Sequence, residues 1–293
     1  ARQPFARQTL ETQSAHPWVC RCTYRPMAAA GVSHRPWRPC CASGQAVGTC
    51  RNYPSSAVPW LMAAPWPRPS SAAPASSGPM GCGLGVNGAT GLLQAGLLAL
   101  APPGSRVLLP RNLHRSLLHG CVLGQLRPVL FDLPFDPASG LWLPPSPAHL
   151  EVVLAAAEQD GPLAALVLVS PSYQGQRAEL PALVALAHGR GLPVLVDQAH
   201  GRGEALAAGA DLVVLSAQKA GGGLAQSAAL LLQGGRADRD AVARALLWLQ
   251  TSSPSALLLA SAAAALDDLT SSAGRRRWQA AWRCGERLQR RCR

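Results

Sequence analysis

Lys219 is the single lysine of a 293-residue chain whose 27 basic residues are otherwise all arginine. Isoleucine is absent, and Phe, Tyr and Asn occur three times each, while Ala, Gly, Pro and Arg abound. A gene under strong G+C pressure reads this way, with lysine replaced by arginine wherever positive charge alone matters. A lysine that survives is expected to do what a guanidinium cannot. Its amine can lose a proton and attack a carbonyl to form a Schiff base, whereas arginine stays charged. The segment around it, Asp211-Leu-Val-Val-Leu-Ser216-Ala-Gln-Lys219-Ala-Gly-Gly-Gly, reads as a buried strand running into a glycine-rich loop. An α/β enzyme would carry a covalent catalyst there.

Other polar groups fall at comparable places. Asp197 closes the apolar run Pro193-Val-Leu-Val-Asp197 and is followed by Gln198-Ala199-His200-Gly201. Asp197 and His200 make only two candidate metal ligands, short of the set a metal centre needs, so no metal is expected. Asn87-Gly88-Ala89-Thr90-Gly91 opens a helix whose free N–H groups and dipole could cradle a phosphate. His114 lies just past an apolar strand. Singly, these residues have ordinary structural roles as turn caps, helix starts and a satisfied imidazole. Together, a phosphate cradle, an aromatic ring, a carboxylate and one lysine meet the demands of pyridoxal phosphate. Lys219 would hold its aldehyde, Asp197 would keep its pyridine nitrogen protonated and His114 would stack on the ring. Ala89, Thr90 and Ser216 would hold the phosphate.

The elements that must position these groups follow from the apolar pattern. Helices are expected near 89–100, 114–124, 147–158, 179–188, 237–250 and 254–266. Short apolar strands are expected at 106–109, 127–131, 163–170, 193–197, 211–216 and 227–232. Continuous rather than alternating apolar strands, separated by helices, predict an α/β fold with a mainly parallel sheet covered by helices on both faces. Ligands of such sheets bind at the carboxyl ends of the strands.

The formal charge of +12 is unevenly placed. Residues 1–80 carry eight arginines against one acid, and residues 274–293 the same, while the middle is slightly acidic. Basicity confined to the two ends argues against a nucleic-acid-binding core, although the ends themselves leave that rival open. No apolar run approaches the ~20 residues of a membrane span. No continuous apolar leader is evident, and a cytoplasmic protein is expected. Six of the nine cysteines lie in the first 82 residues, without zinc-site spacing. That segment mixes Trp, Cys, Pro and Arg without helical or strand periodicity. Back-translated with G+C-rich codons and read in a shifted frame, residues 26–83 yield a periodic, cysteine-free sequence containing HGRGRG and WDLPELPEL. Residues 1–83 are therefore expected to be irregular or out of frame, followed by one domain over 84–273 and an arginine-rich, helix-like tail over 274–293.

Six blocks carry a resemblance: Val86-Asn-Gly-Ala-Thr90, Pro110-Arg-Asn-Leu-His-Arg-Ser116, Val169-Ser-Pro-Ser-Tyr-Gln-Gly175, Leu195-Val-Asp-Gln-Ala-His-Gly201, Ser216-Ala-Gln-Lys219 with Gly223-Leu-Ala-Gln-Ser227, and Leu249-Gln-Thr-Ser-Ser-Pro-Ser255. In order and spacing they resemble the major domain of the Orn/Lys/Arg decarboxylases, pyridoxal-phosphate enzymes of the aspartate-aminotransferase-like fold (fold type I). The resemblance implies Lys219 as the Schiff-base lysine, Asp197 as the pyridine-nitrogen partner and His114 as the stacking ring. Thr90, the Ala89 amide and Ser216 would contact the phosphate and Ala199 would pack on the ring. His200 and Gln218 would complete the cofactor-binding set. It also implies a basic amino acid as substrate, a role in amino-acid metabolism and polyamine biosynthesis, a homodimer or higher homo-oligomer, and a C-terminal domain that is missing here. Two positions depart from the pattern: Gln198 where the family usually has Glu, and Gln218 where it usually has His. Gln218 can hydrogen-bond but cannot titrate, which bears on turnover more than on cofactor binding. The rival readings are an aminotransferase or aldolase of the same fold, an inactive remnant, and a basic-ended nucleic-acid binder.

Overall fold

The computed structural model describes residues 81–291. Its centre is a seven-stranded sheet of β1 (Gly81–Gly85), β2 (Arg106–Pro110), β3 (Arg127–Phe131), β6 (Leu163–Val169), β7 (Val194–Asp197), β8 (Leu212–Ser216) and β9 (Ala228–Leu232), in the order β1-β9-β8-β7-β6-β2-β3. A separate two-stranded hairpin joins β4 (Phe135–Asp136) to β5 (Leu141–Trp142). The strands from β8 across to β3 run parallel, whereas β9 is antiparallel to both β8 and β1. The connection between β8 and β9 is too short for the crossover that a parallel pair requires. The mainly parallel sheet expected from the sequence is therefore present, with a reversed strand near one edge.

Strand residues alternate between two cores. Leu108, Leu166, Leu168, Val194, Val196, Val213 and Leu215 point into one, with helices α3 (Pro147–Gln159), α4 (Leu180–Gly189), α5 (Glu204–Ala207) and α8 (Ala256–Thr270). Val107, Leu109, Ala165, Val167, Leu195, Leu212 and Val214 point into the other, with α1 (Gly88–Leu100), α2 (Arg115–Leu123) and α7 (Arg239–Leu249). Both faces are dry, which is why these strands carry apolar residues at successive positions instead of every second one. The remaining helices are the short α6 (Ala217–Ala220) and the arginine-rich α9 (Ser272–Arg291).

Strand β1 begins at Gly81, inside the segment set aside as irregular, and pairs along its length with β9. A side chain at Gly85 would lie 2.9 Å from Leu92, so only glycine lets the strand sit this close to α1. The remainder of the out-of-frame assignment, residues 1–80, lies outside the described residues. The arginine-rich tail is a helix through Arg291. No described helix is long and apolar enough to cross a membrane.

Chain direction across the sheet reverses between β2 and β6. From this point β3 lies outward on one side and β7 and β8 on the other. A parallel sheet opens its ligand crevice at the carboxyl ends of strands flanking such a point. His114 lies in the segment after β2, Asp197 ends β7 and Lys219 lies in the segment after β8.

Candidate active site

Asp197 is the last residue of β7 and is 5% exposed. Its Oδ1 accepts the Ala199 N–H at 3.0 Å, which turns the chain away from the strand and buries Ala199 beside it. Burial pushes the Asp197 carboxyl above its usual range. The Ala199 N–H, then the charges of His114, Lys219 and His200, pull it back only in part. Three basic side chains from three segments therefore act electrostatically on one desolvated acid.

Lys219 sits on α6, directly beyond β8. Its Nζ lies 3.1 Å from His200 Nε2. Burial, and next the neighbouring Lys219 charge, lower the His200 pKa and favour the neutral imidazole. A neutral ring can accept a hydrogen bond from Nζ and so aim it. Tyr173 packs edge-on against the same ring, with centroids 5.5 Å apart at 84°. His114 caps α2: its Nδ1 accepts the Ser116 N–H at 3.2 Å and lies 2.8 Å from Ser116 Oγ, which fixes the imidazole at the end of the β2 connection. Ala89 and Thr90 form the first turn of α1. Asn87 gives that helix no side-chain cap, because its Nδ2 donates to the Leu249 carbonyl instead.

Ser216 ends β8. Its Oγ is buried and has no hydrogen-bond partner among the described residues. Gln218 faces the same loop, but its Oε1 accepts the Gln226 N–H at 2.7 Å. Gln226 holds a left-handed backbone, φ 72°, and its carbonyl accepts the Gly88 N–H at 2.8 Å. Gln218 thus ties the glycine-rich loop to the start of α1. The resemblance places it in the cofactor-binding set; its carbonyl oxygen is committed to the loop.

These features suit pyridoxal phosphate. A buried carboxylate whose desolvation its basic neighbours offset only in part accommodates a protonated ring nitrogen. An unpartnered hydroxyl at the end of β8 and a helix start without a side-chain cap can accommodate a phosphate. Among the described residues no three His, Cys, Asp or Glu side chains gather as a metal set.

Sequence reasoning did not anticipate two contacts. One is the direct approach of His200 to Lys219, since His200 was placed only generally in the cofactor set. The other is Glu204, whose Oε2 accepts from Gln198 Nε2 at 3.2 Å and from the Arg202 N–H at 2.8 Å. No local motif marks Glu204; only its position a few residues after Gln198 hints at the pairing.

Residues 84–293 match the family described as "Orn/Lys/Arg decarboxylase, major domain". Arginine decarboxylase of Bacillus subtilis (strain 168) is 33% identical over 185 residues, which cover 59% of this chain and 36% of that protein. Protein YaaO of the same organism is 38% identical over 180 residues, 58% of this chain and 37% of that one. The chain thus spans little more than a third of the length of these relatives. Among solved structures, lysine decarboxylase A from Pseudomonas aeruginosa superposes with a TM-score of 0.59 at 19% identity, covering 68% of this chain and 30% of that one. The constitutive lysine decarboxylase of E. coli gives 0.54 at 21% identity, with 67% and 30% covered. These likenesses establish the fold as that of the type I pyridoxal-phosphate enzymes, and the match over 84–293 makes this chain a member of the Orn/Lys/Arg decarboxylase family, whose major domain it carries.

Proposed function

We propose that this polypeptide binds pyridoxal phosphate and decarboxylates a basic amino acid, with arginine favoured by the names of its curated relatives. The observation that carries the reading is the approach of Lys219 Nζ to His200 Nε2 at 3.1 Å just past β8, with Asp197 buried at the end of the neighbouring β7. Pyridoxal phosphate, when bound, supplies an aldehyde for amine condensation and a ring that takes up the electron pair left as CO₂ departs. Lys219 Nζ is the nucleophile for that aldehyde, and the neutral His200 orients it without adding a competing charge. Asp197 holds a proton at the ring nitrogen, where its low-dielectric setting makes the ion pair effective. His114 would cover one ring face and Ala199 the other. Ser216 Oγ and the N–H groups of Ala89 and Thr90 bind the phosphate, with the Thr90 hydroxyl exposed beside them.

Adding pyridoxal phosphate to the purified chain is expected to produce a visible absorbance band that Lys219→Arg abolishes. A folded wild-type protein without the band would overturn the assignment. Release of CO₂ from arginine separates a decarboxylase from an aminotransferase or aldolase of the same fold. We include in this reading a cytoplasmic homodimer acting in polyamine biosynthesis, which sedimentation and fractionation would test. Residues 1–83 are proposed to be out of frame, and an upstream gene sequence reading intact through codon 83 would remove that part.

A further inference from the structure

We infer that the cavity bounded by Asn112, Trp142, Tyr173 and Gln174 receives the guanidinium end of the substrate and selects arginine over lysine. This rests on the decarboxylase reading above and names the specificity-determining residues of that site.

The cavity has a volume of about 310 Å³ and is lined further by Leu113, Gly140 and Leu141. It adjoins the reacting amine through two contacts. Tyr173, on its wall, stacks edge-on against His200, and His200 Nε2 lies 3.1 Å from Lys219 Nζ. Leu113, which also lines the cavity, directly precedes His114. A substrate whose α-amino group is held at Lys219 would therefore extend its side chain past Tyr173 into this space.

The lining specifies what can occupy it. None of these residues carries a charge, so a carboxylate or phosphate would meet no cation there. Asn112 Oδ1 is buried and has no hydrogen-bond partner among the described residues. A buried acceptor without a donor is a group that waits for one. Two large aromatic side chains, Trp142 and Tyr173, remain exposed around it at 41% and 84%. Trp142 is presented by the β4–β5 hairpin, whose tip is held by Asp136 accepting the Ala138 and Ser139 N–H groups. An acceptor oxygen and two exposed aromatic rings lining one cavity make a site for an organic cation. Its neutrality favours the guanidinium, which is planar, weakly hydrated and stacks on rings. A lysine ammonium loses more hydration and regains less from one carbonyl and two faces.

The test is calorimetric titration of the purified chain with L-arginine and L-lysine. The wild type is expected to bind arginine about tenfold more tightly than lysine. Asn112→Leu and Trp142→Ala should each weaken arginine binding by roughly the same factor, the range that one buried hydrogen bond or cation–π contact covers. Lysine binding should weaken less than arginine binding, and the cofactor absorbance band should stay as in wild type. Asn112→Asp, nearly isosteric, should instead tighten the binding of both. Equal affinity for the two amino acids, or arginine binding indifferent to all three substitutions, overturns the site. Arginine-selective binding in a wild type that shows no cofactor band would sustain the guanidinium site while sinking the decarboxylase reading.

Discussion

Restoring at position 198 the glutamate usual in the family should destabilise this protein, and in a pH-dependent way. Gln198 is 1% exposed. Its Oε1 accepts the Ala205 N–H at 3.1 Å and its Nε2 donates to Glu204 Oε2 at 3.2 Å. Gln198→Glu keeps the first bond and turns the second into two facing carboxylates. At that separation and an effective dielectric near 20, their repulsion is about 5 kcal/mol. Glu204 is 41% exposed and lies 3.6 Å from Arg177, so solvent and that guanidinium reduce the repulsion. The new side chain can instead keep its proton and donate it to Glu204. Doing so at pH 7 costs about 4 kcal/mol, from 1.36 kcal/mol for each pH unit above the glutamate reference near 4.3. The smaller penalty wins, so the loss at pH 7 should be roughly 2–4 kcal/mol. The sign follows from linkage: a carboxyl raised in the folded state contributes fully below its unfolded pKa and loses that contribution as pH rises. At pH 5 the loss should thus fall to about 1 kcal/mol. Thermal unfolding should show Tm lowered by roughly 5–15 °C at pH 7 and by only a few degrees at pH 5. Adding Glu204→Gln exchanges donor and acceptor and should recover most of the loss. An equal Tm deficit at both pH values, or no rescue by the second substitution, would refute the reasoning.

Asp197→Asn should raise the urea midpoint of the cofactor-free protein at pH 7 and leave it unchanged near pH 3.8. The wild-type carboxyl is raised by burial, so its contribution is complete below its unfolded pKa and is lost as pH increases; the same substitution should weaken cofactor binding. Ser216→Ala should alter stability by less than about 0.5 kcal/mol, since its Oγ has no partner to lose. Equilibrium dialysis should nevertheless show cofactor affinity reduced by about tenfold or more, the value of one hydrogen bond to a charged group. Trp278 and Trp282 of α9 lie under the guanidinium groups of Arg202 and Arg177 at 5.1 and 5.0 Å. Replacing both with alanine should release about 0.5–1 kcal/mol per ring and accelerate amide exchange in α9 without affecting the sheet.

The parallel strands and the longer helices were legible because burial on both faces writes continuous apolar runs, and Gly, Pro or Ser marks the ends. Ser146 before Pro147 caps α3 by accepting the His149 N–H, a boundary visible in the residue types alone. Strand β1 was illegible for the opposite reason. Three of its five residues are glycine, and what makes it a strand is pairing with β9 far along the chain. The β4–β5 hairpin has two residues per strand, too few for any period to show. At the site, Lys219, Asp197 and His114 announced themselves by type and by position after strands. Asn112 and Trp142 did not, because they meet only when the segment after β2 and the hairpin after β3 are brought to one cavity wall.

The two departures from the family pattern look from sequence like damage to a catalytic motif, and the contacts around them suggest a different physical account. Glutamine at 198 complements Glu204, and its amide supplies the donor that a carboxylate there would lack at neutral pH. Glutamine at 218 accepts the N–H of Gln226, a non-glycine residue held at positive φ, which costs on the order of 1–3 kcal/mol unless its surroundings impose it. The carbonyl of Gln226 then takes the Gly88 N–H at the mouth of α1. An amide at 218, which does not titrate, therefore keeps the glycine-rich loop and the first turn of α1 joined. A histidine there would vary its donor and acceptor pattern as it titrated. With glutamine at 218, the imidazole that approaches the Lys219 amine is His200, at 3.1 Å.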